Sequence, residues 1–266
     1  MGIGAKKVSD HKNAFKQEIS QMAPGERETF FNWFNESGGD IDTNFLKGYC
    51  DFSLHILLPC LHILKEPEKK VALEIGYGGG RLLLPASRIF QHVFGIDVHE
   101  QGELVREELK KRGCQNHTLL TSQGESIPVD PNTIDFVYSF IVLQHVERLH
   151  IFEAYLKETF RVLKNGGTAL LYFGRLHTFS LNREQKILFY LDGLLDRLYP
   201  KNYLEITERV NAVNLKISLP LAISIAQKTG FTVLQTGVSK KFPNMRCYGG
   251  QRYLLLKKTD SSLSDL

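Results

Sequence analysis

The chain has 266 residues, 42% apolar and 23% charged, enough to fill one sizeable core, which excludes a stapled mini-protein or a chain that stays disordered. Its 33 Lys and Arg against 29 Asp and Glu leave a net charge of +4 spread along the sequence, which argues against dedicated nucleic-acid or anionic-membrane binding. The four cysteines (Cys50, Cys60, Cys114, Cys247) form no C-x-x-C pair and read as reduced thiols of a cytoplasmic protein.

In chain order, residues 1–25 hold several charges and no apolar stretch of the kind a secretory signal needs. No run is long enough to span a membrane; the nearest, 52–64, is interrupted by His55, Pro59 and His62. Phe30, Phe31, Trp33 and Phe34 cluster ahead of a Ser37-Gly38-Gly39 stop, and Phe45, Tyr49, Phe52, Ile56 and Ile63 recur at helical spacing with Pro59 marking a kink. Residues 1–67 therefore read as a helical N-terminal extension. His55 and His62 could share a helix face, but no carboxylate or thiol stands at matching spacing, so no metal is expected.

From residue 68 the pattern alternates. VALEI (71–75), HVFGIDV (92–98), HTLLT (117–121), IDFVYSF (134–140), TALLYF (168–173), FTVLQTGV (231–238) and RYLLLKK (252–258) read as strands. Helices are predicted near 79–90, 100–112 and 148–163, the last followed by a turn at Asn165-Gly166-Gly167. This predicts an α/β fold: a doubly wound, Rossmann-like, seven-stranded, mostly parallel sheet. The last two strands have no helix between them and should form an antiparallel edge hairpin. Residues 176–217 stand apart as a helical insertion. Ile187, Leu188, Leu191, Leu194, Leu195 and Leu198 make one apolar helix face there, ended by Pro200, read either as packing over the sheet or as a lid over a site. The domain thus spans 68–258 with this insertion, and 259–266 is expected to be a disordered tail.

The chemistry concentrates in Val71-Ala-Leu-Glu-Ile-Gly-Tyr-Gly-Gly-Gly-Arg81, a strand entering a glycine loop. Glycines at 76, 78 and 80 let the backbone approach a ligand. A dinucleotide loop would need a small residue at 81, where this chain has Arg81. A carboxylate at the mouth of the loop, Glu74, would repel a pyrophosphate and attract a cationic cofactor. Asp97, 21 residues after Gly76, is placed to accept ribose hydroxyls, and an adenine could lie on the Gly124 and Glu125 backbone.

With these residues the sequence resembles the class I S-adenosylmethionine-dependent methyltransferases, in particular the bacterial group acting on small molecules. The glycine loop, GIDV (95–98), GESIP (124–128), IDFVYSFIVLQHV (134–146) and RVLKNGG (161–167) match in order and spacing. The resemblance implies that S-adenosylmethionine is held by Glu74, Gly76, Tyr77, Gly78, Asp97, Val98, Gln123, Gly124, Glu125 and Phe140. Gln123 departs from the acidic residue common there, although an amide oxygen can accept the same hydrogen bond. His145 is the candidate general base, with packing as its other reading. Arg175, His177, Trp33, Tyr49 and Phe52 could line a substrate cavity or serve as core.

The expected activity is methyl transfer to an oxygen or nitrogen of a small-molecule acceptor, with no nucleic acid and no membrane as partner. A base methyltransferase of nucleic acids is disfavoured because Ser139-Phe-Ile-Val stands where N/D-P-P-Y/F would follow the fourth strand, and no Pro-Cys nucleophile appears. Glu74 and Arg81 disfavour a nicotinamide-dependent oxidoreductase. A non-catalytic scaffold keeping the fold is the remaining alternative.

Overall fold

A computed structural model describes residues 18–19, 27–34, 40–199, 201–206, 210, 212–241 and 243–259. The expected stop at Ser37-Gly38-Gly39, the helix end at Pro200 and all but the first residue of the tail lie outside these. All seven predicted strands form: β1 (Val71–Ile75), β2 (His92–Asp97), β3 (His117–Thr121), β4 (Ile134–Ser139), β5 (Leu163–Arg175), β8 (Phe231–Lys240) and β9 (Tyr248–Lys258). Two short strands in the insertion, β6 (Tyr203–Glu205) and β7 (Leu215–Ile217), join them.

β3-β2-β1-β4-β5 are parallel, and β9 then β8 continue the sheet antiparallel. Alternate residues of these strands face opposite cores. Ala72, Phe136, Tyr138 and Tyr172 point to one, shared with α2 (Ile41–Asp51), α3 (Leu83–Ser87) and α4 (Gly102–Lys111). Leu73, Val137, Leu171 and Phe173 point to the other, shared with α5 (Leu149–Val162) and α7 (Leu219–Thr229). Strands buried on both faces explain the near-continuous apolar runs. Among the described residues no helix is long and apolar enough to cross a membrane.

Four local results differ from the sequence reading. The Asn165-Gly166-Gly167 turn is a bulge inside β5: Ile134 pairs with Leu163 but Phe136 with Thr168, so four residues stand opposite Asp135. Asp135 stabilises the bulge by accepting Lys164 Nζ at 2.8 Å and the Val71 amide at 2.9 Å. Second, α7 was not anticipated, although its signals are present: Ser218 caps the Leu221 amide, Pro220 sits in the first turn, and Gly230 ends the helix at φ +106°. Third, Tyr49 points outward while Phe45, Phe52 and Ile56 are buried. Fourth, the insertion helix buries Asp192 and Asp196, while Ile187, Leu191, Leu194 and Leu198 of the predicted apolar face are exposed and Leu188 and Leu195 half-buried.

The N-terminal elements are α1 (Arg27–Trp33) and α2, capped by Asp40 accepting the Thr43 amide at 2.7 Å. α2 runs into a π-helical turn, Phe52–Leu57, and then Leu58–Cys60. Pro59 has no N–H to give the His55 carbonyl four residues back. That carbonyl instead accepts the Tyr172 hydroxyl at 2.9 Å, which ties the extension to β5.

The insertion begins where β5 ends. It contains α6 (Lys186–Leu198), β6 and β7. β9 occupies one edge of β5 through Gly174, so β7, paired with Gly174 and Arg175, takes the edge that β4 vacates after Ser139. β7 therefore lies just beyond the C-terminal end of β4. The Asn214 and Leu215 amides there both donate to the Gln144 carbonyl, at 2.8 and 3.1 Å.

Candidate active site

A cavity of 460 Å³ lies at the C-terminal ends of β1, β2 and β4, the edge where open α/β sheets bind ligands. The glycine loop forms its floor. Gly76 has φ +77° and Gly78 φ +50°, a region that side chains rarely adopt. A Cβ on Gly78 would come within 2.9 Å of the Phe34 ring, and one on Gly76 within 2.3 Å of Val142. Packing around the loop, as well as approach to a ligand, requires both glycines.

The end of β2 holds that loop in shape. Asp97 Oδ2 accepts the Gly78 amide at 2.8 Å and Oδ1 the Val98 amide at 2.7 Å. His99, buried at 1% exposure, closes the arrangement. Its Nδ1 accepts the Gln101 amide at 3.1 Å, which places the ring proton on Nε2, and Nε2 donates to the Gly78 carbonyl at 3.1 Å. The sequence reading passed over His99, whose one signal was its position two residues after Asp97.

Glu74 sits on the wall at 2% exposure, with the Tyr138 hydroxyl donating to Oε2 at 3.1 Å. Burial pushes its carboxyl up to about 8, against the smaller opposing effects of that hydrogen bond and of Arg81. Arg81 is itself held by Asp51 of α2 at 2.5 Å. Phe140 and Ile141 follow β4. The Ile141 φ of +60° is an outlier for a β-branched residue, and strain of this kind gathers at functional sites. Phe140 is stacked on His55 at 4.5 Å and 18°. On the far side Ser122 Oγ accepts the Gly124 amide at 3.0 Å and donates to the Ser126 carbonyl at 2.6 Å, shaping the 122–126 turn.

All the residues singled out for the cofactor, namely Glu74, Gly76, Tyr77, Gly78, Asp97, Val98, Gln123, Gly124, Glu125 and Phe140, line this one cavity, and His145 lines it too. Tyr77 is itself only 3% exposed and packs on His99 at 5.0 Å. His145 Nδ1 lies 2.7 Å from the Ala212 carbonyl and so carries the proton, leaving Nε2 as the acceptor for the Gln144 amide at 3.2 Å. Of the five possible substrate-cavity residues only Trp33 lines it. Tyr49 is exposed on α2, and Phe52, in the π-helical turn, is buried in the core. Arg175 is fully buried against Asp192, and His177 is bonded to Asp196 at 2.9 Å. Their side chains are committed to anchoring the insertion. Phe34 and Lys47, which no motif singles out, also line the cavity.

The residues fit a cationic nucleoside cofactor. Each Asp97 oxygen takes one close backbone amide and keeps acceptor capacity toward ribose hydroxyls. The buried Glu74 carboxyl is suited to ionise beside an ammonium or sulfonium and unsuited to a pyrophosphate.

The fold is the one seen in solved S-adenosylmethionine-dependent methyltransferases. Residues 73–171 match a family model described as a methyltransferase domain. The chain is 28% identical over 120 residues to a ubiquinone/menaquinone biosynthesis C-methyltransferase of Rhizobium rhizogenes, covering 43% of this chain and 45% of that one. It thus spans less than half the length of the curated relatives it matches. Its fold is similar to that of magnesium protoporphyrin IX methyltransferase from Synechocystis PCC 6803 with bound SAH (TM-score 0.57, 17% identity, 87% of this chain and 94% of that one). It is also similar to a SAM-dependent methyltransferase from Aquifex aeolicus (TM-score 0.53, 18% identity, 82% and 98%).

Proposed function

We propose that this protein transfers the methyl group of S-adenosylmethionine to a nucleophilic oxygen or nitrogen of a small-molecule acceptor. The observation that carries the reading is the convergence on one cavity of the buried Glu74 carboxyl, the Gly76–Gly78 turn, Asp97 and His145. When bound, the cofactor supplies a methyl on a sulfonium, already an excellent leaving group. The protein's task is then alignment in a water-poor pocket. Asp97 and the 122–126 turn hold the nucleoside end, and Glu74 faces the cationic end. Trp33 and Phe34 of the extension exclude water from the acceptor side. His145, its proton fixed on Nδ1 by the Ala212 carbonyl, presents Nε2 to take a proton from an acceptor hydroxyl as Gln144 gives way. An amine acceptor would need no such base. The unpaired cysteines support a cytoplasmic location.

The C-methyltransferase name of the Rhizobium rhizogenes relative favours a second reading, an activated carbon as acceptor, in which His145 would deprotonate the hydroxyl that directs attack.

Calorimetry with S-adenosylmethionine followed by a methyl-transfer screen of metabolite pools tests this function. Gly78→Val and Asp97→Ala should each weaken cofactor binding by about a hundredfold or more while the circular dichroism spectrum persists. His145→Ala should lower turnover by about a hundredfold with cofactor affinity kept. Unchanged affinity in both loop variants would overturn the cofactor placement, and near-normal turnover in His145→Ala would remove the base.

A further inference from the structure

The exposed face of α6 is apolar and its buried face is acidic. Ile187, Tyr190, Leu194 and Leu198 are 75%, 71%, 53% and 67% exposed, whereas Asp192 and Asp196 are buried. At 100° per residue the four apolar side chains fall on one stripe and the two aspartates on the opposite side. The aspartates anchor the helix. Asp192 accepts Arg175 at 2.5 Å, the Ser180 hydroxyl at 2.7 Å and the Phe179 amide at 2.7 Å, and Asp196 accepts His177 and Arg252. These contacts hold the apolar stripe outward.

The fold also gathers cations around the stripe. Arg183 and Lys186 are exposed at its N-terminal end, and Arg197 and Lys201 at its C-terminal end. The β8–β9 turn adds exposed Lys241 and Arg246, brought beside α6 by the Leu181–Tyr248 bridge and the Asn244–Glu184 hydrogen bond. Across 183–201 the single exposed carboxylate is Glu184, because Asp192 and Asp196 are neutralised inside. A charge balance that looks even along the sequence is therefore strongly positive at this edge.

We propose that α6 and the adjoining β8–β9 turn are a docking face for an anionic lipid surface, with the helix lying in the plane of the interface. A second copy of the chain fits this face less well. Cations at both helix ends would meet cations in parallel and antiparallel pairing alike. A stripe about 20 Å long and about 10 Å wide offers a few hundred Å², short of the roughly 800 Å² per partner of a stable interface. An anionic bilayer satisfies the stripe and both charged ends together. α6 follows the C-terminal end of β5, so docking would hold the edge of the sheet that bears the cavity at the membrane.

The test is flotation of the full chain with phosphatidylcholine vesicles and with vesicles of phosphatidylcholine and phosphatidylglycerol in equal parts, alongside sedimentation velocity. The wild type should float with the anionic vesicles, much less with phosphatidylcholine alone, and less as salt rises. Ile187→Ser/Leu194→Ser/Leu198→Ser should lose about a hundredfold or more in partitioning, and Lys186→Glu/Arg197→Glu at least about tenfold. The charge pair is solvent-exposed and keeps the test valid if the triple variant melts early. Absence of wild-type flotation, equal flotation with both lipid compositions, or unchanged partitioning in both variants would overturn the proposal. A concentration-dependent dimer abolished by the triple variant, without flotation, would assign the face to a second copy instead.

Discussion

α2 and α6 are both additions to the same sheet, both amphipathic, and they present opposite faces to it. α2 buries Phe45 and brings Gly48 against the loop, where a Cβ would lie 2.0 Å from the Arg81 carbonyl oxygen. Its Asp51 then pairs with Arg81. α6 buries Asp192 and Asp196 against Arg175 and Arg252 and leaves Leu191, Leu194 and Leu198 in water, with Leu188 and Leu195 half-buried. An apolar stripe therefore does not by itself say which side of a helix is inside. A pair of buried arginines, Arg175 at the end of β5 and Arg252 within β9, can outweigh it, because an unpaired buried charge costs more than several exposed leucines.

The largest effect should come from breaking that anchor. Asp192→Ala leaves the fully buried Arg175 without its carboxylate and should cost about 3–5 kcal/mol, read as a fall in melting temperature of roughly 10 °C. Arg175→Met/Asp192→Leu should recover most of the loss. If Asp192→Ala melts like the wild type, the anchor is not what inverts α6.

A glycine exchange in each helix sharpens the contrast. Gly48→Val overpacks the α2 contact with Arg81 and should destabilise by about 1–3 kcal/mol and weaken cofactor binding, seen in parallel melts and titrations. Gly193→Ala in α6, where the nearest atom to a new Cβ is Arg252 Nη2 at 3.9 Å, should be neutral or stabilising by up to about 1 kcal/mol. Equal destabilisation by the two would erase the difference between a docked helix and an outward one.

The last effect is electrostatic. Glu74 has a folded-state pKa of about 8 against an ordinary 4.5, so the folded protein binds the extra proton. Its contribution to stability is complete below 4.5 and is lost as pH rises through 8, whereas attraction for a cationic cofactor grows over the same rise. Melts and calorimetry from about pH 6 to about pH 9 should show these opposite slopes, and Glu74→Gln should flatten both. Arg81 lowers the Glu74 pKa, so Arg81→Met should move both midpoints upward. A midpoint that stays put would disconnect α2 from the electrostatics of the site.

The sheet was legible because its signals are local. Strands buried on both faces, such as VALEI and TALLYF, must be apolar throughout, and glycines at positive φ mark the loop at 76–80. The residues gathered in the cavity could be named because each stands at the end of a strand, and parallel order brings strand ends together. α7 was missed although Ser218, Pro220 and Gly230 announced it. The β5 bulge was missed because a glycine pair reads the same in a turn and in a ladder with extra residues.

The chain by itself determined the α/β alternation, the glycine loop with Glu74 and Asp97, and hence the cofactor class. Local chain geometry and short-range spacing encode all of these. Only the tertiary structure decided that Arg175 serves Asp192 and not a substrate, that His99 fastens Gly78, and that α6 turns Leu191, Leu194 and Leu198 outward. Those outcomes depend on which charges are buried together, a property of residues up to 56 positions apart, as between Asp196 and Arg252, that no periodicity records.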